Sequence, residues 1–319
     1  MHRKEVLVTG GAGFIGSEFV RQLCQDKNYQ ITVADCLTYA GNIDNLSGVI
    51  ESIDFKKIDI RNNSEVQEIF KNKKFEIVIN LAAESHVDNS IITPAIFLET
   101  NILGTQNLLD ASVRNGLPLF VQISTDEVYG SISTNFASEV DPLNPSSPYS
   151  ASKAAADLIV ASYGKTFNLP YNIIRSVNNY GPFQYPEKLI PFFINRILEN
   201  KSVPIYGTGK NVREWIHVSD FARAIIEVME NARRNEVFNV ASGVFKTNLE
   251  VTEFLINTLD RSMDLITYVE DRPGHDFRYA LNSEKIRKET EWLPMVSFEE
   301  GLVQTINWYR DLRNREKLK

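Results

Sequence analysis

VTGGAGFIGS, residues 8–17, follows a short apolar run and opens a helical pattern, with Gly10, Gly13 and Gly16 spaced three apart. The G-x-x-G-x-x-G spacing is a variant of the dinucleotide fingerprint. Its glycines allow a tight turn, close approach of a phosphate to the backbone, and close packing of helix on strand. Amides and the positive dipole end of the following helix would hold a pyrophosphate. Asp35 lies 19 residues beyond Gly16, at the end of the apolar run QITVAD (30–35). A carboxylate there bonds a ribose 2′-hydroxyl and repels a 2′-phosphate, so NAD is expected in preference to NADP. No arginine stands beside it in the sequence. Asp59, at the end of the next expected strand, is placed for the adenine end of such a cofactor. An exposed strand-end aspartate is its plainer reading.

Working outward, apolar runs at 5–10, 30–35, 55–59, 75–83, 119–124 and 171–176 alternate with helical patterns at 14–26, 63–73, 93–115 and 149–168. Several runs are apolar almost throughout, as in a parallel sheet covered on both faces. The alternation predicts an α/β fold built on a Rossmann-type doubly wound parallel sheet. After residue 177 the character changes: NNYGPFQYPEKLIPF is rich in Pro, Gly, Asn and aromatics and reads as a ligand-facing loop. Helical patterns at 189–199 and 219–232, a strand at 236–242 and a mixed remainder from 244 predict a smaller, mixed C-terminal lobe. There is no low-complexity linker, so the two parts are expected to share a cleft.

The chain has 319 residues, 43% apolar and 24% charged, which is ample for a sizeable core. A net charge of -7 argues against a nucleic-acid footprint. No apolar run approaches the roughly 20 residues of a spanning helix. The first strand begins a few residues from Met1, leaving no room for a signal peptide. Cys24 and Cys36 suggest neither a disulfide framework nor zinc spacing. His86 has no metal-ligand spacing with His2, His217 or His275, and no metal is expected. These features together predict a cytoplasmic protein with no membrane contact.

YSASKAAADLIVASYG places Tyr149 and Lys153 four apart, on one face of a helix. A phenol titrates near 10 on its own, and a close ammonium would favour the phenolate by roughly one to three units. Tyr149 is therefore expected to act as a base toward an alcohol. Just past the strand at 119–124 lies ISTDEVYG (123–130), with two adjacent carboxylates, Asp126 and Glu127. One reading is a capping box, since Ser124 and Glu127 have S-x-x-E spacing. The other is an acid and a base for one substrate.

The fingerprint plus Y-x-x-x-K resembles the extended short-chain dehydrogenase/reductase family. LAAESHVDNS, STDEVYG, YSASKA, NNYGPFQYPEKLIP, VREWIHVSD and RPGHDFRYA resemble its nucleotide-sugar dehydratases, from about residue 5 to residue 310. The resemblance implies dTDP-glucose as substrate and a 4-keto-6-deoxy sugar as product. Thr125 and Tyr149 would act at sugar carbon 4 with Lys153, Glu127 as base at carbon 5, and Asp126 as acid at the carbon 6 hydroxyl. NAD would be a retained prosthetic group, contacted also by Phe14, Ile15, Ile60, Ala82, Ala83, Ser85 and Thr100. Ser85 and His86 would lie near the sugar, and Asn178 and Arg213 on the phosphates. Lys188, Leu189 and Tyr206 would lie along the nucleotide, while Asn248, Arg272 and His275 complete that end. Residues 1–178 plus about 213–243 would form the NAD domain, and about 179–212 plus 244–319 the nucleotide-sugar lobe. Helices 93–115 and 149–168, with Ala151, Ala154, Ala155 and Ala161, would pair across a two-fold axis into a homodimer. Rival readings are a dehydratase of UDP- or CDP-linked sugars, a UDP-hexose 4-epimerase, which should lack Asp126 and Glu127, and a non-enzymatic NAD-binding regulator.

Overall fold

The computed structural model describes residues 2–271 and 276–317. In chain order the first strands are β1 (Lys4–Thr9), β2 (Tyr29–Asp35), β3 (Ile53–Lys57), β4 (Ile77–Asn80), β5 (Leu119–Thr125) and β6 (Tyr171–Ser176). Then follow β7 (Asn178–Tyr180), β8 (Val203–Tyr206), β9 (Val212–His217), β10 (Glu236–Val240), β11 (Phe245–Thr247) and β12 (Ile266–Val269). The helices of the first half are α1 (Phe14–Leu23), α2 (Asn63–Asn72), α3 (Val87–Ile92), α4 (Pro94–Phe97), α5 (Thr105–Arg114) and α6 (Pro148–Phe167). Those of the second half are α7 (Leu189–Leu198), α8 (Val218–Asn231), α9 (Asn248–Thr258), α10 (Glu284–Thr290) and α11 (Phe298–Lys317).

Seven strands form one parallel sheet in the order β10-β6-β5-β4-β1-β2-β3. The strand order reverses between β1 and β4, which opens a crevice at their carboxyl ends, where open α/β sheets bind ligands. Alternate residues serve opposite faces, because side chains alternate along a strand. Val6, Val8, Ile77, Ile79 and Val121 pack beneath α1 and α8, through Phe19, Val20, Phe221 and Ile225. Leu7, Val78 and Phe120 pack on the other face against Val66, Leu108 and Val160 of α2, α5 and α6. Each such buried side chain contributes roughly 1.5–3 kcal/mol. A second core, with Ile194, Val203, Trp215, Leu255 and Ile306, joins α7, α9 and α11 to the small sheets β11-β9-β7 and β12-β8.

The fingerprint turn is locked against the crevice. Gly10 has φ +69°, and a Cβ there would stand 2.6 Å from the Ala82 amide nitrogen, just past β4. A Cβ on Gly16 would stand 2.2 Å from the Gly10 carbonyl oxygen, so α1 could not pack so closely with any other residue. A polar row fixes the strand ends beside it: Thr9 Oγ1 donates to Asn80 Oδ1 at 2.7 Å, and Asn80 Nδ2 donates to Gln122 Oε1 at 2.8 Å.

Three expectations are revised. The strands expected at 55–59 and 75–83 run over 53–57 and 77–80, so Asp59 lies in the loop past β3. The helix expected at 93–115 is not uniform: Leu98–Gly104 is a π-helical stretch between α4 and α5. The capping box expected at Ser124 and Glu127 does not form. The turn after β5 is a 3₁₀ turn over Asp126–Tyr129, starting one residue later, and Thr125 Oγ1 caps it by accepting from the Glu127 amide at 3.3 Å.

Candidate active site

Two adjoining cavities share Gly10, Gly13, Ala40, Leu81 and Ala83, and together form one groove across the carboxyl ends of the parallel strands. The first holds about 640 Å³ of empty space between the ends of β1, β2 and β4, and Asp35, Asp59, Ile60, Ala82 and Thr100 line it. The second holds about 1220 Å³, and its walls include Phe14, Ile15, Gly16, Ser85, Ser124, Thr125, Asp126, Glu127, Tyr149 and Lys153. Asn178, on β7, and Lys188, just before α7, reach the same space. Every residue expected at the cofactor thus borders one groove, together with Ser85, Thr125, Asn178 and Lys188 of the expected substrate set.

At the first end, the buried Asp35 carboxylate accepts from the amides of Ala12 (2.9 Å) and Leu37 (2.8 Å). Burial raises its pKa, and those two amides act against the shift. The fold also brings an arginine into this lining, which the sequence alone did not reveal. Arg61, however, is committed to Asp59, with its Nε 2.9 Å from Oδ2. α1 points its N-terminus at the groove and carries no acid in its first turn, so its amides and dipole favour an anion.

At the other end, Asp126 is 3% exposed, and its Oδ1 accepts from Thr125 Oγ1 at 3.1 Å. Its Oδ2 is buried without a hydrogen-bond partner. Burial first, and then the neighbouring Glu127, push its pKa well above its ordinary value, which favours the protonated form. Tyr149, in the first turn of α6, hydrogen-bonds Thr125 and stands edge-on to Phe97 at 6.3 Å. The ammonium-driven fall expected for its phenol is not the arrangement found. Burial and then the neighbouring Glu127 push the phenol up, against the Thr125 hydrogen bond. Lys153 instead donates to the Ile123 carbonyl at 2.6 Å, and burial lowers its own pKa to about 8, against Asp157.

The remaining expected residues lie at the rim or on the second lobe. His86 caps α3 by accepting from the Asn89 amide at 3.2 Å and stands 4.0 Å from Glu187. Leu189 begins α7 beside Lys188, whose Nζ donates to the Ser85 carbonyl at 2.7 Å. Arg213 is buried on β9, donates to the carbonyls of Asp276 (2.9 Å) and Phe277 (3.3 Å), and lies over the Tyr279 ring. Tyr206 ends β8 and is 42% exposed, and Asn248 begins α9 and is buried. His86, Leu189, Arg213, Tyr206 and Asn248 do not border the groove itself. Arg272 and His275 lie outside the described residues.

Several groups escaped the sequence reading. Asn101, in the π-helical stretch, accepts from the Glu84 amide at 2.9 Å and donates to Ser152 at 2.8 Å, which ties the groove wall to α6. A π turn widens a helix by one residue and leaves no residue pattern. Glu187 lines the groove and accepts from the Tyr39 hydroxyl at 3.3 Å; as the acid beside Lys188 in YPEKLIP it was there to be found. Among the described residues no helix is long and apolar enough to cross a membrane. No described group of His, Cys, Asp or Glu is placed to hold a metal ion.

Comparison with known proteins agrees with this geometry. The family model described as GDP-mannose 4,6 dehydratase matches residues 7–305. The dTDP-glucose 4,6-dehydratase of Streptomyces niveus is 45% identical over 97% of this chain and 93% of its own length. A low-salt glycan biosynthesis protein of Haloferax volcanii is 47% identical over 96% of this chain and 98% of its own length. The crystal structure of a dTDP-glucose 4,6-dehydratase from Streptomyces venezuelae, solved with NAD bound, superposes with a TM-score of 0.94 at 44% identity, covering 99% of this chain and all of that one. The chain belongs to the nucleotide-sugar 4,6-dehydratase family that the GDP-mannose 4,6 dehydratase model describes, in the company of the dTDP-glucose 4,6-dehydratases.

Proposed function

We propose that this protein converts dTDP-glucose to dTDP-4-keto-6-deoxyglucose, with NAD held as a prosthetic group. The observation that carries the reading is the adjacent pair Asp126 and Glu127, facing the same space as Thr125, Tyr149 and Lys153. An epimerase needs only the last three. Removing water across carbons 5 and 6 needs a base and an acid, and burial favours the protonated form of Asp126.

The groove fits the dinucleotide. A Cβ on Gly13 would meet only the Gly10 carbonyl, at 3.3 Å, so the backbone between β1 and α1 is open to a phosphate. Asp35 stands at one end of the groove and Tyr149 with Lys153 at the other. Gly10, Gly13, Phe14, Ile15 and Gly16 would hold the pyrophosphate, Asp35 the adenosine ribose, Asp59 and Ile60 the adenine. Ala82, Ala83, Ser85, Thr100, Tyr149 and Lys153 would complete the wall. When bound, NAD supplies the hydride acceptor at carbon 4, a positive ring that favours the Tyr149 phenolate, and the hydride source for carbon 6. Thr125 and Tyr149 hold the carbon 4 hydroxyl, and Tyr149 takes its proton. The resulting ketone acidifies the carbon 5 proton. Glu127 removes that proton while Asp126 donates one to the carbon 6 hydroxyl, which leaves as water. Asn178 and Arg213 would serve the diphosphate, and His86 at the rim the sugar. Lys188, Leu189, Tyr206 and Asn248 would lie along the nucleotide.

Residues 1–178 plus about 213–243 form the cofactor domain in this reading, and about 179–212 plus 244–319 the sugar-nucleotide lobe. Support comes from β10, which joins the large sheet, and from α8, which packs on its face; β9 pairs with β7 and β11 and so sits at the seam. A homodimer is supported by exposed apolar side chains on the helices expected to pair: Leu98, Leu103 and Leu158, the last 64% exposed. Two free cysteines suit a cytoplasmic location. The test is to incubate purified protein with dTDP-glucose, UDP-glucose and CDP-glucose and follow the 4-keto product. Turnover of dTDP-glucose in preference to the other two is expected. Turnover of none would end the dehydratase reading, and a preference for UDP- or CDP-glucose would move it to another nucleotide sugar.

A further inference from the structure

Behind the groove runs a buried polar chain that the proposed chemistry leaves unused. Asp157 lies one helical turn beyond Lys153 on α6 and is 2% exposed. Its Oδ2 accepts from Arg175 Nε at 3.0 Å, and Ser124 of β5 lies against the same carboxylate. Arg175, on β6 and 5% exposed, donates through Nη1 to the Tyr129 hydroxyl at 2.6 Å. That hydroxyl donates to Asn239 Oδ1 at 2.9 Å. An ion pair this deep is costly to desolvate, and an apolar pair would serve packing as well or better. Its placement therefore asks for a reason other than stability.

Lys153 supplies one. It is 5% exposed and makes a 2.6 Å bond to the Ile123 carbonyl. Its helix also presents Tyr149 and Asp157, β5 and the following turn present Asp126 and Glu127, β6 presents Arg175, and Glu187 and Lys188 face it across the groove. Asp157 is the charge that acts for its ammonium form against burial. Burial raises the Asp157 pKa, and Arg175, whose guanidinium does not deprotonate in proteins, is the foremost group acting for its ionised form, with Lys153 beside it.

We propose that Asp157, held by Arg175, is a positioning residue for Lys153: it keeps that buried side chain cationic and aligned on the α6 face it shares with Tyr149. The role deepens the reading of the site given above, but it concerns the free protein and is tested without substrate. Acetic anhydride labels only neutral amines. Competitive acetylation across a pH series, with mass spectrometry of the peptide holding Lys153, gives the midpoint of that lysine in the full-length protein.

A wild-type midpoint near 8 is expected. Asp157→Asn should lower it by about one unit or more, a tenfold fall in the ratio of ammonium to amine at a given pH. Asp157→Glu should restore most of the difference. If Asp157→Asn does not fold, the pair Asp157→Leu with Arg175→Met, which leaves no unpaired charge, decides the matter and should also lower the midpoint. The proposal is overturned if the folded pair variant labels with a midpoint no lower than wild type. It is equally overturned if Asp157→Asn shifts Lys153 no more than Asp220→Asn, a buried acid remote from it. Failure here would leave turnover of dTDP-glucose untouched, so it is separable from failure of the functional reading.

Discussion

Replacing Glu214 by glutamine should abolish a specific part of the pH dependence of stability. Glu214, on β9 at the seam of the two lobes, is 1% exposed. Its Oε1 accepts from the Gly243 amide at 2.7 Å and its Oε2 from the Leu281 amide at 3.3 Å. Burial nevertheless raises its pKa from 4.5 to about 7, against those amides, Arg287 and Arg278. Between those two values the native protein binds more protons than the unfolded chain. The contribution is therefore full below the unfolded pKa and is lost as pH rises through the folded one. The interval from 4.5 to about 7 is about 2.5 units, worth about 3 kcal/mol. Glutamine does not titrate; it keeps an acceptor for Gly243 but turns an NH₂ toward the Leu281 amide, a pH-independent cost of roughly 1–2 kcal/mol. Wild type should accordingly be the more stable form at low pH and the less stable above neutrality. For a chain of this length the swing amounts to about 5 °C in Tm. Thermal melts followed by circular dichroism from about pH 4.5 to pH 8 test this. Parallel curves for the two proteins, with no crossing, would refute the assignment.

Three further outcomes are expected. Asp126→Asn and Glu127→Gln should each slow elimination by roughly 10²–10⁴ while bound NAD is still reduced, so the near-ultraviolet absorbance of the reduced cofactor should accumulate. Tyr149→Phe should give no such absorbance, and loss of it in either acid variant with ligands still bound would show the roles to be wrong. Gly16→Ala puts a Cβ 2.2 Å from the Gly10 carbonyl oxygen, backbone that cannot move without opening the fingerprint turn; NAD affinity by titration calorimetry should fall at least tenfold, and wild-type affinity would contradict the packing argument. Leu158→Glu places a charge on a side chain that is 64% exposed, and sedimentation should change from dimer to monomer; a monomeric wild type would remove the proposed interface.

The parts of the fold legible in the sequence are those where period and punctuation agree. β1, the glycine turn and α1 were readable because Gly10 and Gly16 occupy positions that a Cβ would block. β5, β6 and α6 were readable because long apolar or amphipathic runs specify their own type. Strands of three or four residues such as β7, β8, β11 and β12 are too short to show a period, and they went unseen. Asp59 was read as a strand end because β3 was placed two residues late. The Asp157–Arg175 pair was invisible because its members come from different elements and neither belongs to a motif. The error over Tyr149 has a physical cause: four-residue spacing promises a neighbouring charge, but it says nothing of the desolvation that outweighs it.

Burial also separates the two acids that stand side by side after β5. Adjacent residues of a strand point to opposite faces, and a 3₁₀ turn rotates successive side chains by about a third of a circle. Four consecutive residues therefore diverge in function while bordering one space. Ser124 meets Asp157 behind the groove, Thr125 meets Tyr149, Asp126 is buried against Thr125, and Glu127 lines the groove. Burial disfavours the charged form of Asp126 and Glu127 adds to that, so the more buried acid of the two is the one whose protonated form is favoured. Neither a longer spacer nor a helical turn would do this as directly, since residues four apart on a helix share one face and one environment. Adjacency at a strand-to-3₁₀ junction differentiates the pair: it buries Asp126, which favours its protonated form, and leaves Glu127 lining the groove.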